Sequence, residues 1–412
     1  MSFTKSNHRK LSAYLGVMVE HYDTALYGFM TPVLKNLFFP NLDDMTALIF
    51  MISGYGVSLL CKPFGALFFG YLGDKFGRKR ALLISVLGMA MVTISMGILP
   101  TYETLGIFAP ILLILCRAMQ AFFVAGEYNG GAIYIIEHDA NKAKGLASGI
   151  YCAFTAVGFL LASFATNVII HYGNEYWRIP YYIASITVIV CIYFRMYAQE
   201  TPEFQKSDDE SFHEKHYNIE DMPRLFLIVA LTSFVSALYM IPTVMVNSFI
   251  TVVTTMDIKD VMKVNTVSLI YYTAFLPFAG MLTDKLGARN LMVVSLIGSI
   301  VMVFPAFAIL GMDSIIGLLI FKCLMISLCA IFIVPFHPYS VEQFSVRQRY
   351  TNISFAYSIG SQVGAYAPTL SLSIYNKTGM IYTHGILIMV LAIIALYMMK
   401  SYERTNARIK AT

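Results

Sequence analysis

Charge is what this chain has least of. Only 13% of its residues are Asp, Glu, Lys or Arg, against about 25% in a soluble domain. The hydrophobic share is 58% and the mean hydropathy +0.66. A soluble core could not hide that much apolar surface, so a bilayer is the expected solvent. Cysteine is sparse too. The six (Cys61, Cys116, Cys152, Cys191, Cys323 and Cys329) all fall in apolar runs and none has CxxC spacing. That argues against disulfides or metal ligands and for small packing residues. A Walker lysine loop, an HExxH pair and a GxSxG elbow are also missing. The sequence therefore carries no motif for ATP hydrolysis, zinc hydrolysis or a nucleophilic serine, and no enzyme activity, metal or cofactor is expected. The net charge of +5 argues for nucleic acid no more than basic loops facing lipid do.

What the chain has instead is long apolar runs. A spanning helix needs about 20 mostly apolar residues. Twelve runs qualify, at 12–35, 46–72, 80–99, 107–134, 146–170, 178–198, 223–250, 263–283, 290–311, 314–338, 351–375 and 379–400. The one long polar connection is ETPEFQKSDDESFHEKHYNIEDMPR. It divides the chain into expected domains at 1–199 and 223–412, joined by a linker at 200–222. The basic start, MSFTKSNHRK, runs into the first apolar segment without a small-residue cleavage site. That segment reads as a retained helix rather than a signal peptide.

Lys and Arg set the orientation. With both termini and the even-numbered loops on one side, 21 of the 29 basic residues fall there, 5 on the other side and 3 inside spans. The positive-inside rule then places both termini and the linker in the cytoplasm. It also favours an even number of spans.

The segment GYLGDKFGRKR at Gly70–Arg80 returns, altered, as GMLTDKLGARN at Gly280–Asn290. Gly70, Asp74, Lys75 and Gly77 match Gly280, Asp284, Lys285 and Gly287, each at an offset of 210. A glycine-containing polar loop at matching points of two apolar halves marks an internal repeat, as transporters often have. Asp74 and Asp284 are expected at the cytoplasmic surface. There a carboxylate can cap the positive N-terminal end of a neighbouring helix, or pair with Arg78, Arg80 or a distant loop arginine. Such a cluster would act as a gate latch; the bland alternative is an ordinary short loop.

Charges within spans are costly, about 2.5–3.5 kcal/mol each on the mild insertion scale. Helix 1 carries Glu20, His21 and Asp23, helix 2 Lys62, helix 4 Arg117 and Glu127, and helix 10 Lys322, ending near His337. Asp23 lies about 17 Å into the bilayer, at about 1.5 Å per residue. Glu20 is a turn closer to the cytoplasm and is expected to approach Glu127, with Asp23 and Arg117 bordering a cavity. Glu20, Asp23 and Glu127 are the candidate proton carriers. Arg117 and Lys62 are the candidate substrate anchors, with Tyr27 and Tyr357 as cavity-lining aromatics. The alternative is that the same charges only pair to hold helices together. Pro63, Pro242, Pro277, Pro335, Pro338 and Pro368 are candidate kinks.

These residues resemble the major facilitator superfamily, whose loop signature is G-x3-D-[KR]-x-G-R-[KR]. GYLGDKFGRK fits it fully; GMLTDKLGAR fits it partly, with Ala288 in place of the usual Arg. More narrowly, VEHYDTALYG, KPFGALFFGYLGDKFGRKR, APILLILCRAMQAFFVAGEY, WRIPYYIA, ETPEF and VEQFSVRQRYTNISFAYSIG resemble the metabolite:proton symporter branch. That branch includes proline/betaine, α-ketoglutarate, citrate and shikimate permeases. Lys62 stands where the branch usually has Arg, Ala121 and Ala125 replace glycines, and Ser345 replaces a proline. The resemblance implies an all-α membrane protein with twelve transmembrane helices in two pseudo-symmetric six-helix bundles. It implies secondary transport by alternating access: proton-coupled uptake of a small organic acid or zwitterion, with a proton-driven exporter as the alternative. It carries roles to Glu20, Asp23, Arg117 and Glu127, and to Asp74 and Arg78 at the gate, and it matches Arg349 to the arginine before helix 11. Expected partners are a small carboxylate or zwitterion, protons and the lipid bilayer, for a monomer in the inner membrane.

Overall fold

The computed structural model describes residues 2–42, 44–138, 143–196, 198–208 and 221–411; residues 209–220 of the expected linker lie outside them. All regular structure among the described residues is helical. Backbone groups in lipid have no water to bond, and a helix satisfies them within one segment. In the first half of the sequence the helices are α1 (Ser2–Phe29), α2 (Thr31–Phe38), α3 (Asp44–Phe76), α4 (Arg78–Ile98), α5 (Tyr102–Leu105), α6 (Phe108–His138), α7 (Lys144–Tyr172), α8 (Ile179–Met196) and α9 (Pro202–Asp208). In the second they are α10 (Met222–Met240), α11 (Val246–Val253), α12 (Ile258–Leu286), α13 (Ala288–Leu310), α14 (Ile315–Val341), α15 (Arg349–Ala365), α16 (Ala367–Thr378) and α17 (Thr383–Ala411). Among the described residues, eight helical stretches are long and apolar enough to cross a membrane. Large apolar side chains such as Phe64, Phe164 and Ile316 stand 68–70% exposed, as a lipid-facing surface requires.

Three expected spans are interrupted. The run 12–35 breaks at Met30, between α1 and α2. The run 351–375 breaks at Tyr366, with Pro368 in the first turn of α16. The run 223–250 passes through a π-helical turn at Ile241–Met245 that contains Pro242. Proline lacks an N–H and its ring crowds the carbonyl four residues back, which accounts for the last two. Pro63, Pro277, Pro335 and Pro338 sit inside helices that continue past them.

The chain forms two compact units. One comprises 1–138, 154–212 and 345–355; the other 139–153, 213–344 and 356–412. Each takes a short segment from the other half of the sequence, so α7 and α15 each begin in one unit and end in the other. Within the first unit α3 packs on α6, α4 on α6 and α8, and α1 on α8. Within the second, α12 packs on α14, α13 on α14 and α17, and α10 on α17. This is the same pattern of pairs, as a duplicated sequence should produce. The turns between α3 and α4 and between α12 and α13 pivot on the repeat-matched glycines Gly77 (φ 101°) and Gly287 (φ 85°), a backbone region that side chains disfavour.

Candidate functional site

The WRIP segment ties the first unit together at one end of α8. Trp177 meets Phe38 edge-on with ring centroids 5.7 Å apart. Arg178 stacks over Trp177 at 4.4 Å and donates to the Leu99 carbonyl at 3.0 Å. Tyr22 Oη donates to the Pro180 carbonyl at 3.1 Å. This packing fixes the rotation of α1, and with it the direction of the acidic residues that follow.

Asp23 is fully buried. Its Oδ2 accepts from Thr93 Oγ1 at 2.7 Å and from Gln120 Nε2. Its Oδ1 accepts no hydrogen bond among the described residues. Arg117 donates to Gln120 Oε1 and lies 4.4 Å over the Tyr27 ring. Tyr27, Arg117, Gln120, Asp23 and Thr93 thus form one polar chain across α1, α6 and α4. Sequence reading named its charged members and Tyr27. It missed Gln120 and Thr93, which are neutral; the remaining signal was Gln120 standing three residues, about one helical turn, after Arg117.

A turn away, Glu20 Oε2 lies 3.4 Å from His21 Nδ1 and accepts no hydrogen bond among the described residues. Glu20 is within electrostatic reach of Lys62, Glu127 and Asp23. Glu127, fully buried, pairs with Arg195 and accepts from Ser85 Oγ at 3.3 Å. By its place near the linker, Arg195 counts as a cytoplasmic charge. Its side chain is nonetheless only 3% exposed, because a buried carboxylate needs a counter-charge nearby.

The loop residues of the first unit form a second network. Asp74 accepts from the Tyr350 and Thr351 backbone N–H groups at 3.1 and 2.8 Å, and from Thr351 Oγ1 at 2.7 Å. It thereby caps the N-terminus of α15. Arg78, fully buried, donates to Asp74 Oδ1 at 3.1 Å, to the Gly73 carbonyl at 2.6 Å, to the Val346 carbonyl, and to Glu137 at 3.1–3.3 Å. Arg349 donates to Glu137 at 3.1 Å and to Glu203 at 2.6 Å. The ETPEF segment completes the network. Glu200 caps α4 by accepting from the Arg78 and Lys79 N–H groups at 3.0 and 3.1 Å. Thr201 Oγ1 donates to Glu137 at 2.5 Å. Phe204 lies between Arg78 and Arg347, at 5.2 and 4.4 Å from its ring.

In the second unit Asp284 accepts from the Gly145 and Leu146 N–H groups at 2.7 and 2.9 Å, capping α7. Tyr357 belongs to this unit too, with its ring 6.2 Å from Phe336. The structure brings Asp74, Arg78 and Arg349 together, and separately holds Glu20, Asp23, Arg117, Glu127 and Tyr27 as buried side chains of α1 and α6, with half-buried Lys62 of α3 within electrostatic reach of Glu20. Asp284 forms its own cap.

Comparisons with known proteins follow the same lines. The sugar (and other) transporter family profile matches residues 10–215, and that of the nucleoside H+ symporters residues 148–341. A proline/betaine transporter of Salmonella typhimurium is 28% identical, over 96% of this chain and 83% of its own length. A shikimate transporter of Escherichia coli is 28% identical, over 88% and 86%. Among solved structures, the proton:xylose symporter XylE superposes with a TM-score of 0.81 at 17% identity, covering 97% of this chain and 96% of that one. The fold is therefore the twelve-helix major facilitator fold.

Proposed function

Because the chain belongs to the sugar (and other) transporter family of the major facilitator superfamily, we propose that this multi-pass membrane transporter takes up a small organic acid or zwitterionic metabolite with a proton, by alternating access. One observation carries the reading. Two acidic side chains in α1, Asp23 and Glu20, are buried, and among the described residues each keeps one carboxylate oxygen without a hydrogen bond. An ordinary structural ion pair would satisfy both oxygens, whereas an open oxygen is where a proton can come and go. Arg117, held over Tyr27 and tied through Gln120 to Asp23, supplies the positive charge for a substrate carboxylate. Binding there would draw the guanidinium from Gln120, which holds Asp23, and so tie substrate to proton. Lys62 is the second anchor and Tyr357 a further aromatic contact; Glu127, with both oxygens engaged by Arg195 and Ser85, would carry a proton only by releasing one of them. The matched transporters of proline/betaine and shikimate support a substrate of this class. Asp74, Arg78, Arg349 and Asp284 serve as the cytoplasmic gate, in a monomer with both termini in the cytoplasm.

The test begins with a thermal-shift screen of the purified protein against organic acids, amino acids and betaines. The best binder is then followed into proteoliposomes under an imposed pH gradient. Accumulation driven by an inward proton gradient, and lost in Asp23→Asn, is expected. Uptake indifferent both to the gradient and to Asp23→Asn, Glu20→Gln and Glu127→Gln would sink the proton reading. Efflux driven by proton entry would identify an exporter on the same fold.

A further inference from the structure

Lys322 of α14 is fully buried, yet among the described residues no carboxylate pairs with it. Its Nζ donates to three neutral oxygens: the Pro242 carbonyl at 2.7 Å, Asn247 Oδ1 at 2.7 Å and Asn265 Oδ1 at 3.0 Å. Three ammonium protons meet three acceptors, from the π-helical turn, α11 and α12. With no proton to spare, Lys322 is unsuited to anchoring a substrate.

The first oxygen has a local origin. Across Ile241–Met245 the Val246 N–H reaches back five residues to the Ile241 carbonyl, not four to Pro242. The slip leaves the Pro242 carbonyl without its usual helical partner, in a segment where water could not supply one. The second oxygen is aimed by its own amide: Asn247 Nδ2 donates to the Thr243 carbonyl at 2.6 Å, which turns Oδ1 toward Lys322. The arrangement is thus a cage of freed backbone and amide oxygens at a discontinuous helix. Such breaks coordinate coupling cations in secondary transporters.

We propose that these three oxygens form a monovalent-cation site that the chain fills with its own ammonium group. Neutral oxygens without a carboxylate suit a single positive charge. Spacings of 2.7–3.0 Å are wide for a divalent ion, which binds oxygen at about 2.0–2.6 Å. Shortening the side chain should leave the cage intact and open to a free cation of the same charge and size, with propylammonium the closest substitute and potassium the next. The inference does not depend on what the protein carries or on proton coupling.

The experiment is thermal unfolding of purified full-length Lys322→Ala, prepared in parallel in the chloride salts of choline, sodium, potassium and propylammonium. At about 100 mM, propylammonium should raise the variant's midpoint by about 3 °C or more over choline and leave the wild type within about 1 °C. Potassium should give a smaller rise. Equal midpoints of the variant in every salt, or an equal rise in the wild type, would overturn the proposal. If Lys322→Ala cannot be purified in any salt, Lys322→Met decides, because it fills the channel of the lysine stem and removes the charged end. A midpoint matching the wild type would show ordinary packing space and overturn the proposal. A clear fall would sustain it.

Discussion

Asp74 and Asp284 stand 210 residues apart in matched copies of one segment. Each accepts from two backbone N–H groups at the start of another helix, α15 for Asp74 and α7 for Asp284. There the likeness stops. Around Asp74 lie buried Arg78, Glu137 and Arg349, and ETPEF holds each of the three: Glu200 accepts from the Arg78 N–H, Thr201 donates to Glu137, and Glu203 accepts from Arg349. In the second copy Ala288 replaces Arg78, and Arg289 turns out to an exposed pair with Glu403. A cap needs only a carboxylate and a helix end, so it survives duplication of the segment. A buried ionic network needs partners from elsewhere in the unit, and the copied loop cannot bring them along. The first loop is therefore the one whose charges cannot be removed singly.

Arg78→Ala should show that most strongly. It leaves Asp74 and Glu137 buried with one fewer counter-charge, a loss of about 3–5 kcal/mol for a buried pair broken from one side. It should appear as a large fall in the unfolding midpoint of purified protein; a variant as stable as wild type would mean the network is idle. Next come the matched glycines. A Cβ at Gly70 would stand 2.4 Å from Thr351 Cα, and one at Gly280 2.6 Å from the Gly145 carbonyl oxygen. Gly70→Ala and Gly280→Ala should each cost about 1–3 kcal/mol, similar in both copies, and the same midpoint assay compares them. Smaller still are the caps. Asp284→Ala should lose about 0.5–2 kcal/mol, while Asp74→Ala should lose more, since Arg78 also loses a counter-charge. Equal losses would break the proposed asymmetry. Arg289→Ala, at a pair 51% and 33% exposed, should change stability by no more than about 1 kcal/mol.

Much of this was legible in the sequence. Apolar runs located the helices, and the repeat located both capping carboxylates. The helices they cap were not legible, because those lie 277 and 138 residues away along the chain, and no local pattern encodes such a pairing. Counting turns from the cytoplasmic end put Glu20 near Glu127, and the two are within electrostatic reach. Charge counting gave no sign of the Arg195–Glu127 pair, since it sorts residues by position along the chain and cannot see a carboxylate on a neighbouring helix. The Lys322 cage was invisible for another reason: two of its oxygens are neutral amides, and the third is freed by a one-residue slip in helical register. Such features emerge only once backbone geometry is known.

At Gly145 and Gly280, α7 and α12 meet main chain to main chain. Side chains can swap rotamers and let two helices slide apart by degrees, but bare backbone has no such give. A pull on this joint would be resisted fully until it failed, so its rupture should be abrupt, like a snap fastener rather than a spring.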